Sequence, residues 1–131
     1  MVINYKVTTV NSALYLVAGS DEIVMVNVAG SATVILPSDA EVKGKSRVLH
    51  IKDYTGEANV NPITVTSAGE KTIDGVSSVI LDHGYAHIQV VYDGKNWKTI
   101  SHSSQSGNNK KKKLRDYLKI FSINNKGIYN V

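Results

Sequence analysis

The chain holds four histidines, His50, His83, His87 and His102, and histidine is the side chain most often recruited for metal ligation and proton transfer near neutral pH. His83 and His87 have the spacing that brings two ligands together on a helix, but His87 lies in a run that reads as strand. Four positions along a strand span about 13 Å, too far to share one metal ion. His50 alternates within another strand-like run, and His102 stands at the start of a polar linker. A metal held within one chain is not expected; a symmetric oligomer stacking one histidine per chain on its axis keeps that chemistry open. The carboxylates offer no acid/base pair. Asp53, Asp74 and Asp93 fall in turn signals, where an Asp side chain bonds nearby backbone N–H groups. Asp21-Glu22 flanks a strand start, and Asp39 and Glu41 sit near Lys43 and Lys45 in what reads as a solvated loop. Ser77-Ser78 and Ser103-Ser104 have no local base. There is no cysteine, hence no thiol nucleophile, thiolate metal site or disulfide. Gly-rich phosphate loops, GxSxG and HExxH are absent from the sequence. An enzyme is not expected, and no cofactor.

Aromatic side chains are the other candidates. Trp97 follows a turn in Tyr92-Asp93-Gly94-Lys95-Asn96-Trp97, and two roles fit it: closing one end of the core beneath that turn, the favoured one, or stacking on a sugar ring or partner at the surface. Tyr54, in the loop Asp53-Tyr54-Thr55-Gly56-Glu57-Ala58-Asn59, suits an exposed contact better, and Tyr85 is a third recognition candidate.

The elements that must position these residues are short and rich in Val, Ile and Thr, broken by Gly, Asn, Asp or Pro. Strands are expected at 3–10, 13–18, 22–28, 32–36, 46–52, 62–66, 76–81, 84–92 and 95–101. Along 84–92, Ala86, Ile88, Val90 and Tyr92 take one face, with Tyr85, His87, Gln89 and Val91 on the other. Asp93-Gly94 and Asp74-Gly75 both signal two-residue type I′ hairpin turns. Pro37 and Gly44 bracket a loop, or one helical turn, at 38–43. No repeat of fixed period suggests a solenoid. These features predict an all-β fold, a compact antiparallel β-sandwich or barrel-like domain over 1–103.

The period changes after a small, polar linker at 104–109. Leu114, Tyr117, Leu118 and Phe121 sit at i, i+3, i+4 and i+7, one apolar stripe of a short C-terminal basic amphipathic helix. With Lys110, Lys111, Lys112 and Lys113 they make 110–131 a basic tail. The net charge of +4 divides unevenly: residues 1–103 carry −2 and residues 104–131 carry +6. A nucleic-acid-binding domain is expected to carry its basic residues on the folded surface, so a nucleic-acid role acting through the lysine tail is the lesser reading. The stripe favours docking to a protein groove, with Leu114, Leu118 and Phe121 as anchors and the lysines steering the encounter. No apolar run approaches the ~20 residues of a membrane span, and residues 1–6 lack the pattern of a signal peptide.

Between Val34 and Ile100, six pieces follow in order: Leu36-Pro37, Gly44-Lys45, Ile51-Lys52-Asp53-Tyr54-Thr55-Gly56-Glu57-Ala58, Asn61-Pro62-Ile63-Thr64-Val65, Thr72-Ile73-Asp74-Gly75 and Tyr92-Asp93-Gly94-Lys95-Asn96-Trp97. The series resembles a module found in tailed-phage fibres and in head fibres or capsid decorations. What the resemblance implies is a non-enzymatic virion component, assembled in the host cytoplasm. It is commonly a homotrimer that projects from the particle and contacts host-surface glycans or receptors. Such modules often stop soon after the strand containing Trp97, whereas this chain continues into the basic tail. That departure, with a start at Met1 and no fibrous shaft, points to a short fibre or decoration protein held by its own terminus on another virion protein, capsid or tail.

Overall fold

A computed structural model describes residues 5–38 and 47–103. They form nine strands: β1 Val7–Val10, β2 Leu14–Leu16, β3 Ile23–Val26, β4 Ala32–Leu36, β5 Val48–Asp53, β6 Ile63–Ser67, β7 Ser78–Leu81, β8 His87–Tyr92 and β9 Trp97–His102. Each lies within or beside an expected segment, and the described residues contain no helix. The 38–43 loop, apart from Ser38, and the linker, the amphipathic helix and every docking residue of the tail, Lys110 to Phe121, lie outside the described residues.

The strands build a five-stranded sheet, β1-β3-β5-β8-β9, and a four-stranded sheet, β2-β4-β6-β7. The expected all-β, sandwich-like arrangement is present, but its antiparallel pairing and the barrel alternative are corrected: β1, β3 and β5 run parallel, as do β2, β4 and β6, and the two mixed sheets do not close. Successive strands visit the two sheets in turn through β6, so each strand meets its parallel neighbour after one strand in the opposite sheet. Parallel pairing normally needs a long crossover, and here the other sheet supplies it. The chain then reverses: β7 is antiparallel to β6, β8 to β5 and β9 to β8. A bulge in the last ladder leaves Ile100 between the pairs Val90↔Thr99 and Gln89↔Ser101.

Alternation fills the space between the sheets. Val24, Val26, Leu49, Ile51, Ile88 and Val90 from one sheet meet Val34, Leu36, Ile63, Val65 and Leu81 from the other, all buried. Trp97 closes one end. It is fully buried, its ring centroid is 5.3 Å from that of Tyr92, and a small hairpin lies beside it. In that hairpin Ile73 bridges Val76 across Asp74 and Gly75, which have φ of 51° and 87°, the expected type I′ turn. Its edge continues onto β9: the Trp97 N–H donates to the Thr72 carbonyl at 2.9 Å and the Asp74 N–H to the Trp97 carbonyl at 3.0 Å. The second turn departs from expectation. The Asp93 N–H bonds the Asn96 carbonyl at 3.0 Å, so Gly94 and Lys95 are the central residues, and only Gly94 has positive φ, as in a type II′ turn. The Asp93 carboxylate accepts from the Lys95 and Asn96 N–H groups, which places it just before the turn rather than within it.

Candidate functional site

Two buried carboxylates hold the corners between sheets. Asp21 accepts from Thr8 Oγ1 at 2.6 Å, Tyr15 OH at 2.5 Å and the Ala18 N–H at 2.8 Å. Asp53 ends β5, and its Oδ1 accepts from the Thr55 N–H (3.0 Å) and Oγ1 (2.8 Å). Its Oδ2 accepts from the N–H groups of Ala58 and Tyr85, both at 3.0 Å. Burial pushes the Asp53 carboxyl up, but the hydrogen bonds from Thr55, Tyr85 and Ala58 outweigh it and hold the group below the usual carboxylate range. The loop after β5 and the turn before β8 are therefore tied to one ionised side chain.

That tie positions the two exposed tyrosines. Tyr54 is 57% and Tyr85 61% exposed. Tyr85 has a φ of 60°, a left-handed conformation that costs an L residue about 1–2 kcal/mol. Three contacts determine it: its N–H is held by Asp53, its carbonyl accepts from Lys52 Nζ at 2.6 Å, and its ring lies on Gly56. A Cβ on Gly56 would stand 2.6 Å from the ring, so the ring occupies the space that only glycine leaves open. Lys52 Nζ also lies 5.6 Å from the Tyr85 ring centroid, within cation–π range. Strain that the surroundings over-determine marks a position where function is sought.

Lys52 leads onto the outer face of the five-stranded sheet. Lys52 pairs with His87 across β5 and β8, and His50 with Gln89; all four side chains point away from the buried Leu49, Ile51, Ile88 and Val90. His50 Nε2 is 3.1 Å from Gln89 Nε2, and His87 Nε2 is 3.2 Å from Ser101 Oγ. His83, in the turn before β8, places Nε2 3.0 Å from Ser103 Oγ. Burial lowers the His87 pKa first, followed by the charges of Lys52, His102, His50 and His83. The other three histidines thus lie close enough to His87 to act on its charge, which the sequence did not indicate. Strand spacing separates His83 from His87 along one strand, whereas the structure puts His83 in a turn and brings His50 in from β5. No group of three or more metal-ligating side chains forms among the described residues.

Asp82, His83 and Ser103 stand in the order of a nucleophilic triad. The Asp82 Oδ1–His83 Nδ1 distance is 3.7 Å, beyond a hydrogen bond, and the Asp82 carboxylate is largely exposed. Ser103 Oγ already accepts from the His87 N–H at 2.8 Å. These contacts end the β8–β9 ladder, and Ser103 serves there as a structural hydroxyl. Trp97, one of the candidate surface contacts, is a core residue and has no surface to offer; its position under the turn needs the large apolar ring.

No protein-family model matches the chain, and no curated protein does.

Proposed function

We propose that the chain is a non-enzymatic virion structural protein of the phage head-fibre or tail-fibre kind. In this reading the β-body forms a homotrimer and residues 110–131 hold it on another virion protein. One observation carries the assembly. On the outer face of the four-stranded sheet, the ladder aligns Leu14, Thr33, Thr64 and Ile80 in one row and Leu16, Ile35, Thr66 and Ser78 in the next. None of these eight side chains is charged, and Leu14, Leu16 and Ile80 are 64%, 58% and 54% exposed. A contiguous uncharged face of this kind marks an interaction surface, and three copies of one chain packing these faces around an axis bury it symmetrically. The motif residues Asp53, Gly56, Asp74, Gly75, Gly94 and Trp97 build corners, turns and core, which suits a scaffold whose exterior carries the binding. The test is the solution mass of the full chain at micromolar concentration. Three times 14.2 kDa supports the reading, and a monodisperse monomer that binds no capsid or tail protein refutes it.

A second reading, a glycan- or receptor-binding β-module, is favoured by the exposed and fixed Tyr54 and Tyr85. The two are compatible, since a fibre that projects from a particle can also adhere.

A further inference from the structure

We propose that Lys52, His50, His83 and His87, with the Tyr85 ring beside them, form a binding site for an anionic saccharide. Its ligand is a sugar carrying sulfate or carboxylate groups, held on the outer face of the five-stranded sheet and bound more tightly as the pH falls. The inference gives a ligand class to the adhesive reading above, and it needs only a folded body, not a trimer.

The cationic groups converge with one carboxylate among them, Asp82 beside His83. Lys52 makes no ion pair among the described residues; its ammonium is held by the Tyr85 carbonyl and lies near the Tyr85 ring. The groups facing His87 are Lys52 and His50 from β5, Ser101 and His102 from β9, and His83 from the preceding turn, and the charges among them are all positive. The neighbouring carboxylates are committed elsewhere or lie to one side. Asp53 is buried and saturated by four donors. Glu22, whose carbonyl accepts from the His50 N–H, directs its carboxylate to the Lys6 N–H. Asp82 stands 3.7 Å from His83 Nδ1.

Protonation enlarges this charge. The Gln89 amide nitrogen lies 3.1 Å from His50 Nε2, and a protonated imidazole donates from both nitrogens, to an anion or to the turned-over Gln89 oxygen. His83 Nδ1 is a buried nitrogen with no hydrogen-bond partner, 3.7 Å from Asp82 Oδ1, so His83 contributes to the site through the charge of its ring rather than through a direct contact at that atom. Beside these groups the Tyr85 ring, 61% exposed and fixed by Asp53 and Gly56, offers the flat apolar surface on which the C–H face of a sugar stacks. One lysine and a few histidines suit one or two anionic substituents. A polyphosphate backbone would call for a more extensive basic surface than this body of net charge −2 carries.

The experiment titrates the full chain with a heparin tetrasaccharide, an oligoguluronate and neutral maltotetraose at pH 7.5 and 5.5, following backbone amide and imidazole NMR shifts. The sugar sulfates and carboxylates stay ionised at both pH values, so the change belongs to the protein. Expected is binding of the two anionic sugars about tenfold tighter at pH 5.5, from several imidazolium contacts each worth about twofold. Shifts should centre on His50, Lys52, Tyr85 and His87. His87→Asn and His50→Asn should each cut that increment by about twofold; Lys52→Met, which removes a cation but no imidazole, should weaken binding at both pH values, and Lys52→Arg should retain it. The tail lysines stay charged throughout this range and are unchanged in every variant. The proposal is overturned by shifts confined to Lys110–Lys113, by an undiminished pH increment in the folded histidine variants, by undiminished binding in folded Lys52→Met, by equal binding of maltotetraose, or by tighter binding of a short single-stranded oligonucleotide at the same residues. A monomeric chain that binds the sugars this way refutes the trimer alone, and a trimer that does not bind them refutes this site alone.

Discussion

Replacing Asp53 by Asn changes one atom of a buried side chain and reverses its chemistry toward two of its neighbours. The carboxylate accepts four hydrogen bonds, two at each oxygen. An amide keeps one oxygen, and its NH2 group confronts the other pair of donors. A hydrogen bond to a charged group contributes roughly 1.5–3 kcal/mol, so losing two of them costs about 3–6 kcal/mol. Domains of this size are stable by only about 5–15 kcal/mol, so the loss is a large share of the total. The effect also carries a pH signature. The folded-state pKa of Asp53 is depressed, so its contribution is fully present above the unfolded value of about 3.9 and is lost as pH falls through the folded value. Urea unfolding of wild type and Asp53→Asn at one protein concentration, followed by fluorescence of the single, buried Trp97, reads both. The variant should be less stable by the stated amount at pH 7, with the gap narrowing below pH 4. A loss under about 1 kcal/mol at pH 7, or a gap that persists unchanged at pH 3, refutes the account of this corner.

Two further outcomes follow from the same structure. Leu14→Lys and Leu16→Lys place charges on the outer face of the four-stranded sheet, where both side chains are more than half exposed; each should lower the oligomeric mass while leaving the circular dichroism unchanged, and an intact oligomer in both would locate the interface elsewhere. Burial, then the hydrogen bond to Asp21, pushes the Tyr15 hydroxyl up to about 12, so its contribution is fully present below the unfolded value of about 10 and is lost as pH rises through about 12. Alkaline absorbance titration should show one tyrosine fewer lagging in Tyr15→Phe than in the wild type, whereas an unchanged lagging fraction in the folded variant contradicts the Tyr15–Asp21 contact.

The strand positions were legible because inward residues such as Val24, Val26, Ile88 and Val90 alternate with outward ones in runs bounded by Gly, Asn and Asp. Asp74-Gly75 was legible because a type I′ turn demands two positive φ angles, which few dipeptides tolerate. The parallel winding was not. Alternation has the same period in parallel and antiparallel sheets, and the separations between paired residues, 16 for Val7↔Ile23, 27 for Ile23↔His50, 19 for Leu14↔Thr33 and 31 for Thr33↔Thr64, share no repeat. The roles of Asp21 and Asp53 were half legible. Their positions, Asp21 beside a strand start and Asp53 in a turn, follow from composition, but Asp21 bonding Thr8 and Asp53 bonding Tyr85, 13 and 32 residues away, depend on which strands become neighbours. The histidine cluster stayed hidden for the same reason, since β5 meeting β8 is a long-range pairing that local sequence does not encode.

The central claim is that the β-body itself carries the assembly, leaving the basic tail to hold the particle. Light scattering coupled to size exclusion, on the full chain and on a version ending at Ser103, tests it directly. The account predicts a trimer for both. A trimeric full chain with a monomeric, folded truncation would assign assembly to residues 104–131 and contradict it.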